Sequence, residues 1–258
     1  MIRHLNCATL RPVYGTKIVA HCLLVERPEG LLLVDSGLGT ADLADPKRLG
    51  RVWRSWMRPA LDPAGTAAAQ VVALGHDVGD VTDVVLTHLD LDHAGGVADF
   101  PHARVHVYDA ELEAALHPRG KEHGRYLPVQ WSEADWVTHR VPDDAEPWFG
   151  MDAVPTVGDD VLMVPLPGHS RGHVGVAVRD GERWVLHAGD AFYAAGELTD
   201  HTDCPRRLRA MQRILAVDDA QRVATADRLR TLVADHGDEV EVVCSHDRTQ
   251  LESATADA

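Results

Sequence analysis

The chain has 258 residues, with 25 lysine and arginine residues against 40 aspartate and glutamate residues. The resulting formal charge of −15 argues against a nucleic-acid or anionic-membrane surface, because such surfaces need clustered basic residues. Hydrophobic residues make up 45% of the chain, which is enough for a sizeable core and excludes wholesale disorder. No apolar run approaches the ~20 residues of a membrane span, and no signal peptide is expected from the first residues.

The elements predicted in the first half begin with a hairpin whose strands are joined by a turn at residues 27–30. The stretch 41–75 has a helical pattern that three prolines interrupt. Further on, a continuous apolar run is typical of a buried strand, and a short strand leads directly into a helix. The predicted bounds are Ile18–Glu26 and Leu31–Asp35 for the hairpin, then Val81–Thr87, Arg104–Tyr108 and the helix Asp109–Leu116.

The second half starts with an irregular stretch, 117–150, before strand patterns return. The bounds predicted there are Val161–Leu166, Val174–Arg179, Arg183–His187 and Val240–Cys244 for strands, and Pro205–Val217 and Ala220–His236 for helices. This order of elements predicts an α/β (α+β) fold with two sheets flanked by helices, rather than regular βαβ winding. We expect a single domain over residues 1–258, with insertions at about 41–75 and 117–150.

Histidine and cysteine usage indicates the kind of site to expect. The four cysteines, Cys7, Cys22, Cys204 and Cys244, are scattered and form no Cys-x-x-Cys pair. Without an export signal, this predicts a cytoplasmic protein with free thiols. The 16 histidines are unusually many, and histidine is the commonest metal ligand. An acidic, His-rich and Cys-poor chain favours a metal site of nitrogen and oxygen ligands.

One short segment concentrates potential metal ligands at the end of the buried strand. It contains His88, Asp90, Asp92 and His93, separated by leucines and followed by two glycines that let the backbone turn. Side chains at positions i and i+2 of a strand end point to the same side, so His88 and Asp90 can converge. A polar loop with an Asp-rich helix cap is the structural alternative, but such loops rarely pair two histidines with two aspartates so densely.

Three later segments also place a ligand-type residue at a strand end, namely His169, Asp190 and His246. Each one alone is weak evidence, because a single His or Asp at a strand end more often caps a helix or faces solvent. Together they are informative, since a catalytic metal site draws its ligands from several element ends on one face of the protein.

The motifs and their order along the chain resemble those of the metallo-β-lactamase-fold hydrolases. The matching segments are Asp35-Ser36-Gly37, His88-Leu89-Asp90-Leu91-Asp92-His93, Gly168-His169-Ser170-Arg171-Gly172-His173, Gly189-Asp190 and Ser245-His246. The resemblance extends over about residues 18–247 and is more specific for the fold than for the substrate. It implies an αββα sandwich with the metals at one edge, between the sheets.

The resemblance also implies a binuclear metal site, with Zn²⁺ as the default ion and Mn or Fe as alternatives. It assigns His88, Asp90 and His169 to the first ion, Asp92, His93 and His246 to the second, and Asp190 to both as a bridge. It further implies that Asp35 orients the ligand loop, and that His173 supports the site without ligating.

Asp90 departs from the commonest form of the motif, which has histidine there. With Asp90, Asp92, Asp190 and a bridging hydroxide, two divalent ions would form a neutral cluster and a weaker Lewis acid. The oxygen ligand suits Mn or Fe better than imidazole does. Aspartate is also shorter than histidine, which leaves open a single ion held by Asp92, His93 and His246.

The resemblance implies a hydrolase in which a metal-bound hydroxide opens a lactone or cleaves an ester-type bond of a small molecule. Asp92 would carry the proton to the leaving group. Tyr193 matches a tyrosine that quorum-quenching lactonases of this fold point at the lactone carbonyl; a tyrosine that only packs is the alternative. Other functions left open are phosphoric, sulfuric or thioester hydrolysis, and a non-hydrolytic iron redox protein of the same fold.

Five of the six tryptophans fall in the two insertions: Trp53, Trp56, Trp131, Trp136 and Trp148. Either they pack the insertions onto the sandwich, which is slightly favoured, or they wall a pocket for an acyl or apolar part of the substrate. Arg125 and Arg171 are interpreted as solvated charges rather than as binding groups for an anion. The sequence gives no indication of the oligomeric state.

Overall fold

In the computed structural model, which describes residues 1–13, 16–199 and 204–256, the chain forms two mixed β-sheets. The first sheet has six strands in the spatial order β1-β2-β3-β4-β5-β6, antiparallel from β1 to β3 and parallel from β3 to β6. Its strands are β1 (Ile2–Leu10), β2 (Ile18–Arg27), β3 (Gly30–Val34), β4 (Val81–Val85), β5 (Arg104–Tyr108) and β6 (Asp135–His139).

The second sheet has five strands in the order β11-β10-β9-β8-β7, of which only the β10–β11 pair is parallel. Its strands are β7 (Val154–Pro155), β8 (Val161–Pro165), β9 (Val174–Asp180), β10 (Arg183–His187) and β11 (Val240–Val243). The helices are α1 (Thr40–Ala44), α2 (Arg51–Met57), α3 (Ala67–Ala73), α4 (Asp109–Leu116), α5 (Gly196–Thr199), α6 (Arg206–Leu215), α7 (Asp219–His236) and α8 (Arg248–Ala256).

Successive side chains along each strand point to opposite faces of its sheet, and this alternation explains how the sheets and helices are layered. On β3, Leu32 and Val34 join the cluster that also contains residues of the second sheet, whereas Leu31 and Leu33 face a separate cluster that includes residues of α3 and α4. On β10, Val185 faces the first sheet and Leu186 faces a cluster that includes residues of α7. The two sheets therefore pack face to face with helices outside, which confirms the predicted αββα sandwich.

Five elements were not predicted from the sequence: β1, β6, β7, α5 and α8. In β1 a register shift between Asn6 and Thr9 changes which residues point inward. Leu5 and Cys7 enter one core cluster, whereas Ala8 and Leu10 enter another, so no single period-two pattern marks the strand. The strand β6 is a half-exposed edge strand inside the stretch that was predicted to be irregular.

The loops that follow β4, β8, β10 and β11 carry the residues singled out as ligands, and the loop that follows β3 carries Asp35. Backbone bonds tie these strand ends together: the amide of Asp35 donates to the carbonyl of Val85, and that of Ser245 donates to the carbonyl of Gly189. Across the described ranges, no helix has both the length and the apolar character needed to cross a membrane. All four cysteines are buried and free.

Candidate metal centre

Two groups of buried side chains converge at this edge of the sandwich. The ligand atoms within each group lie within 4.8 Å of one another, and the groups are His88, His169 and Asp190, and Asp92, His93 and His246. Asp190 lies between the groups, because its Oδ2 is 3.2 Å from Nε2 of His169 and 3.1 Å from Nε2 of His246. Its Oδ1 is 3.3 Å from Nε2 of His93. This placement suits the bridging role expected from the sequence.

Asp35 fixes the orientation of two histidines in the centre. Its Oδ2 accepts hydrogen bonds from Nδ1 of His93 at 2.8 Å and from Oγ1 of Thr87 at 2.8 Å, while its Oδ1 accepts the Thr87 amide. Because the Thr87 hydroxyl donates its only proton to the hydrogen bond with Asp35, it accepts a hydrogen bond from Nδ1 of His88 at 2.9 Å. Asp35 itself has a left-handed backbone (φ 57°), a conformation that Asp tolerates better than most residues.

These bonds leave the Nε2 lone pairs of the histidines directed into the centre. Nδ1 of His246 donates to the carbonyl of Val19 at 2.7 Å, which fixes the same tautomer there. Among the described residues, Nε2 of His88, Nε2 of His93 and Oδ1 of Asp190 are buried without a hydrogen-bond partner. Unpartnered buried acceptors are costly, and a divalent cation satisfies them. The nitrogen and carboxylate donors fit Zn²⁺, Mn²⁺ or Fe²⁺.

The charges of the centre favour a bound cation. Although burial opposes the charged form, the neighbouring His246, His93 and His169 hold the pKa of Asp190 well below its usual range. Burial, reinforced by His93, lowers the pKa of His88 to about 4, so its imidazole is neutral at physiological pH. Burial also lowers the pKa of His93, but Asp190 and Asp35 outweigh it and raise that pKa well above its ordinary value. The carboxylates thus draw positive charge to this point.

His173 lies beside the centre but uses both ring nitrogens elsewhere. Its Nδ1 donates to the carbonyl of Leu166 at 2.9 Å, and its Nε2 accepts the amide of Asp190 at 2.9 Å. It therefore positions the loop of Asp190 and has no free lone pair for a metal, an arrangement that suits the supporting role implied by the resemblance. His169, by contrast, belongs to the first group.

We expect His169→Ala to lower the metal content of the protein held in excess Zn²⁺, whereas His173→Ala retains most of it. The physical reason is that His169 offers Nε2 to the centre, while His173 acts only through the backbone of Asp190. Elemental analysis of the two variants after dialysis against excess free Zn²⁺, which also fills a weak position, measures this difference. Loss of metal in the His173 variant alone would reverse the assignment.

Glu111, on α4, is a buried residue that the sequence analysis missed. Its Oε1 accepts the amide of Leu89, and its Oε2 accepts the hydroxyl of Ser170 at 2.7 Å and the amide of Gly172 at 3.1 Å. One carboxylate thereby joins the His88 loop to the His169 loop. A Cβ at position 172 would collide with the backbone nitrogen of Glu111, so this close approach requires glycine. The helix pattern alone gives no sign of this role.

Asp90 lies beside the first ligand group without being a member of it: its Oδ2 is 3.1 Å from Nε2 of His169 and 3.4 Å from Nε2 of His88. Its two oxygens accept from Nε of Arg125 at 2.5 Å and from Nη2 of Arg125 at 2.6 Å. The interpretation of Arg125 as a solvated charge is therefore wrong, because its side chain is only 9% exposed. Arg171 likewise forms a bidentate ion pair, in its case with Glu122.

Tyr193 is buried, and its hydroxyl donates to Oδ2 of Asp190 at 2.8 Å. Burial and the charge of Asp190 raise the pKa of the Tyr193 phenol well above its usual value, so it remains a neutral donor. Its backbone amide donates to Glu197, which fixes the turn that carries it. The phenol therefore touches the centre and also lines the adjoining cavity.

A cavity of about 610 Å³ opens above the centre. Its floor includes Asp90, Asp92, Asp190, Tyr193 and His246, and its apolar wall includes Leu49, Val52, Trp53, Trp56, Met57, Leu127, Ile214 and Leu215. The tryptophans of the insertions thus divide between the two expected roles. Trp53 and Trp56 line the cavity, whereas Trp131 and Trp136 pack on the helix-covered core of the first sheet. Trp148 packs against Trp184, a residue of the second sheet.

The family model described as the metallo-beta-lactamase superfamily matches residues 15–235. The match spans most of the chain, together with every candidate ligand except His246. The chain therefore belongs to the metallo-β-lactamase superfamily, as its motifs indicated.

The chain is similar to several known proteins over most of its length. It is 42% identical over 250 residues to a probable metallo-hydrolase of Mycobacterium tuberculosis, covering 95% of this chain and 80% of that relative. It is 29% identical over 227 residues to the N-acyl homoserine lactonase AttM of Agrobacterium fabrum, covering 87% and 80% respectively. A solved N-acyl homoserine lactone hydrolase, with N-hexanoyl-L-homoserine at its metal center, superposes with a TM-score of 0.75 at 19% identity, covering 98% of this chain and 95% of that one. That likeness supports the fold.

Proposed function

We propose that this protein is a metal-dependent hydrolase that opens lactones or cleaves acyl esters. The observation that carries the proposal is a buried set of histidine and carboxylate ligands at the floor of a cavity with an apolar wall. A site of this kind binds the apolar part of a small molecule and holds its polar bond against the centre. Zn²⁺ is the proposed ion, and the proposed location is the cytoplasm.

The chain's own residues have distinct parts in this chemistry. A bound divalent ion supplies Lewis-acid polarisation and an activated water. Asp92 belongs to the second ligand group and lines the cavity floor. Burial raises the pKa of its carboxyl, which suits a group that takes a proton and passes it to the leaving oxygen. Asp35 and Glu111 keep the ligand loops in place.

The apolar wall favours a substrate with an acyl part. Val52 and Trp56 on α2 and Ile214 on α6 remain 76%, 41% and 54% exposed although each lines the cavity, so apolar surface is available there. Covering such surface contributes roughly 25 cal/mol per Å² to binding. The resemblance to N-acyl homoserine lactonases supports the same choice, because those substrates combine a lactone with an acyl chain.

Turnover on a substrate panel tests this proposal. We expect hydrolysis of acyl-homoserine lactones of graded chain length, or of aryl esters, and a KM that falls as the acyl chain lengthens. The panel also includes an acyl thioester, a phosphodiester and a sulfate ester. Turnover of the phosphodiester or sulfate ester alone would contradict the proposal, as would turnover that does not depend on metal.

We expect Tyr193→Phe to lower kcat on the best substrate by up to about 100-fold. The phenol is a neutral donor 2.8 Å from Asp190 Oδ2 and lines the cavity, so it can turn toward the developing oxyanion. Loss of one oxyanion donor typically costs about 10²–10³-fold, and a second electrophile that shares the load makes the loss milder. Steady-state kinetics measures the change. Tyr126→Phe is the control, because Tyr126 also lines the cavity but lies outside both ligand groups. Unchanged rates for Tyr193→Phe would exclude the phenol from the reaction.

A further inference from the structure

Arg125 places a fixed positive charge at the edge of the first ligand group. Its guanidinium holds both oxygens of Asp90, and Nη2 also contacts Nε2 of His169. Nη1 donates to the carbonyl of Leu215 at 2.8 Å, which anchors the guanidinium from the opposite side. Since a guanidinium has no acceptor atom, the contact with His169 is a donation to the lone pair that would otherwise bind a metal.

Asp90 and His169 are thereby engaged as partners of Arg125. A bidentate pair of this geometry is strong, and it satisfies the two oxygens of Asp90 without any metal. The residue types at positions 90 and 125 support this pairing, because a histidine at position 90 would offer Arg125 no carboxylate. The departure of this chain from the usual motif and the presence of a buried arginine therefore explain each other.

In the described part of the chain, no arginine competes in this way with a metal ion for the ligand atoms of the second group. Among the described residues, Arg125 forms no hydrogen bond or ion pair with Asp92, His93 or His246. Asp35 and Val19 hold the two histidines with Nε2 directed inward. In the first group, Nε2 of His88 stays unpartnered, so the position remains able to accept an ion. An ion at this position would have to share Nε2 of His169 with the guanidinium of Arg125. The positive charges of the ion and of the guanidinium would also repel each other in a buried place.

We propose that Arg125 makes the two metal positions unequal, so that the protein holds one divalent ion tightly at Asp92, His93 and His246. The position at His88 and His169 is a weak site, opposed by the permanent charge of the guanidinium. In the resting protein Asp90 is the counterion of Arg125 and not a ligand. This inference rests on the proposed function only in taking the centre to be a metal site.

Competition with a chelator tests the inference on the full-length protein loaded with zinc. Aliquots are dialysed against graded free Zn²⁺ set by a chelating buffer, and the zinc retained per chain is counted by elemental analysis. We expect the zinc retained by the wild-type protein to fall in two separate steps. The free Zn²⁺ concentrations at the two midpoints should differ by at least about 100-fold. Circular dichroism of each sample confirms that the chain stays folded.

Variants identify the residue responsible. We expect Arg125→Met combined with Asp90→His to bring the weak step closer to the tight one by about 10–100-fold, the range over which groups around a metal site alter affinity. The double variant is used because Asp90→His alone would leave the guanidinium buried without a counterion. Arg125→Lys, which keeps the charge, should leave the steps apart. Arg171→Met is the matched control, since Arg171 also forms a bidentate carboxylate pair, at 3.0 and 2.9 Å, but with Glu122.

The outcomes separate this inference from the proposed function. Two equal steps in the wild-type protein, or unchanged steps in the double variant, would overturn the inference while leaving lactone or ester hydrolysis intact. Unequal steps that merge in the double variant would support it even if the substrate panel gave no turnover. In that case the proposed function alone would fail.

Discussion

Asp190→Ala is expected to abolish hydrolysis on every substrate that the wild-type protein turns over. Asp190 faces His169, His246 and His93 within 3.3 Å and accepts a hydrogen bond from the Tyr193 hydroxyl, so its removal affects both ligand groups together. Asp190→Asn should fail as well, because it preserves the shape but removes the negative charge that a cation needs. We expect the metal content of both variants to fall along with kcat.

The control for these variants is Asp180→Asn, which changes the same residue type at the exposed end of β9. It should leave kcat and metal content unchanged. An Asp190→Ala protein with wild-type turnover would contradict the role of Asp190 as the shared ligand.

Glu111→Ala is expected to destabilise the protein by about 3 kcal/mol, because it leaves several buried donors without an acceptor at ~1–3 kcal/mol each, less what relaxation recovers. For a chain of this size that loss lowers Tm by roughly 6–12 °C. The donors are the amides of Leu89 and Gly172 and the hydroxyl of Ser170. Since they lie in the two loops that carry His88 and His169, metal affinity should fall as well. Calorimetry of the metal-loaded protein and chelator competition measure the two effects.

Glu113→Ala is the matched control, because Glu113 lies on the same helix with a side chain that is 51% exposed. A surface substitution of this kind usually changes stability by less than about 0.5 kcal/mol. Equal losses in the Glu111 and Glu113 variants would show that the helix, and not the loop contacts of Glu111, determines the result.

The sequence predicted the sandwich and the position of the centre because both depend on local signals. Buried strands appear as apolar runs, and the ligands follow them within a few residues, as with β4 and His88. Loops that follow neighbouring strands meet at one edge, so a list of strand-end ligands is already a prediction of proximity. The role of Asp35 was implied by the resemblance alone, and in the structure its carboxylate accepts from Nδ1 of His93 directly after the end of β3.

What the sequence did not reveal depends on contacts between distant segments. Arg125 lies 35 positions from Asp90, and Glu111 lies 59 positions from Ser170, so neither pairing leaves a local pattern. The same holds for the tryptophans of the insertions. Trp53 and Trp131 look alike in sequence, but one lines the cavity and the other is buried in a core cluster. Only the packing of the insertions on the sheets separates these roles.

The most direct test of the account is the hydrolysis rate of the best lactone or ester substrate as Zn²⁺ is returned to chelator-treated protein. The ligand groups around Asp190 predict that the stripped protein is inactive, and that activity returns as zinc fills the centre and then levels off. Full activity in stripped protein, with its zinc content shown to be negligible, would contradict the account.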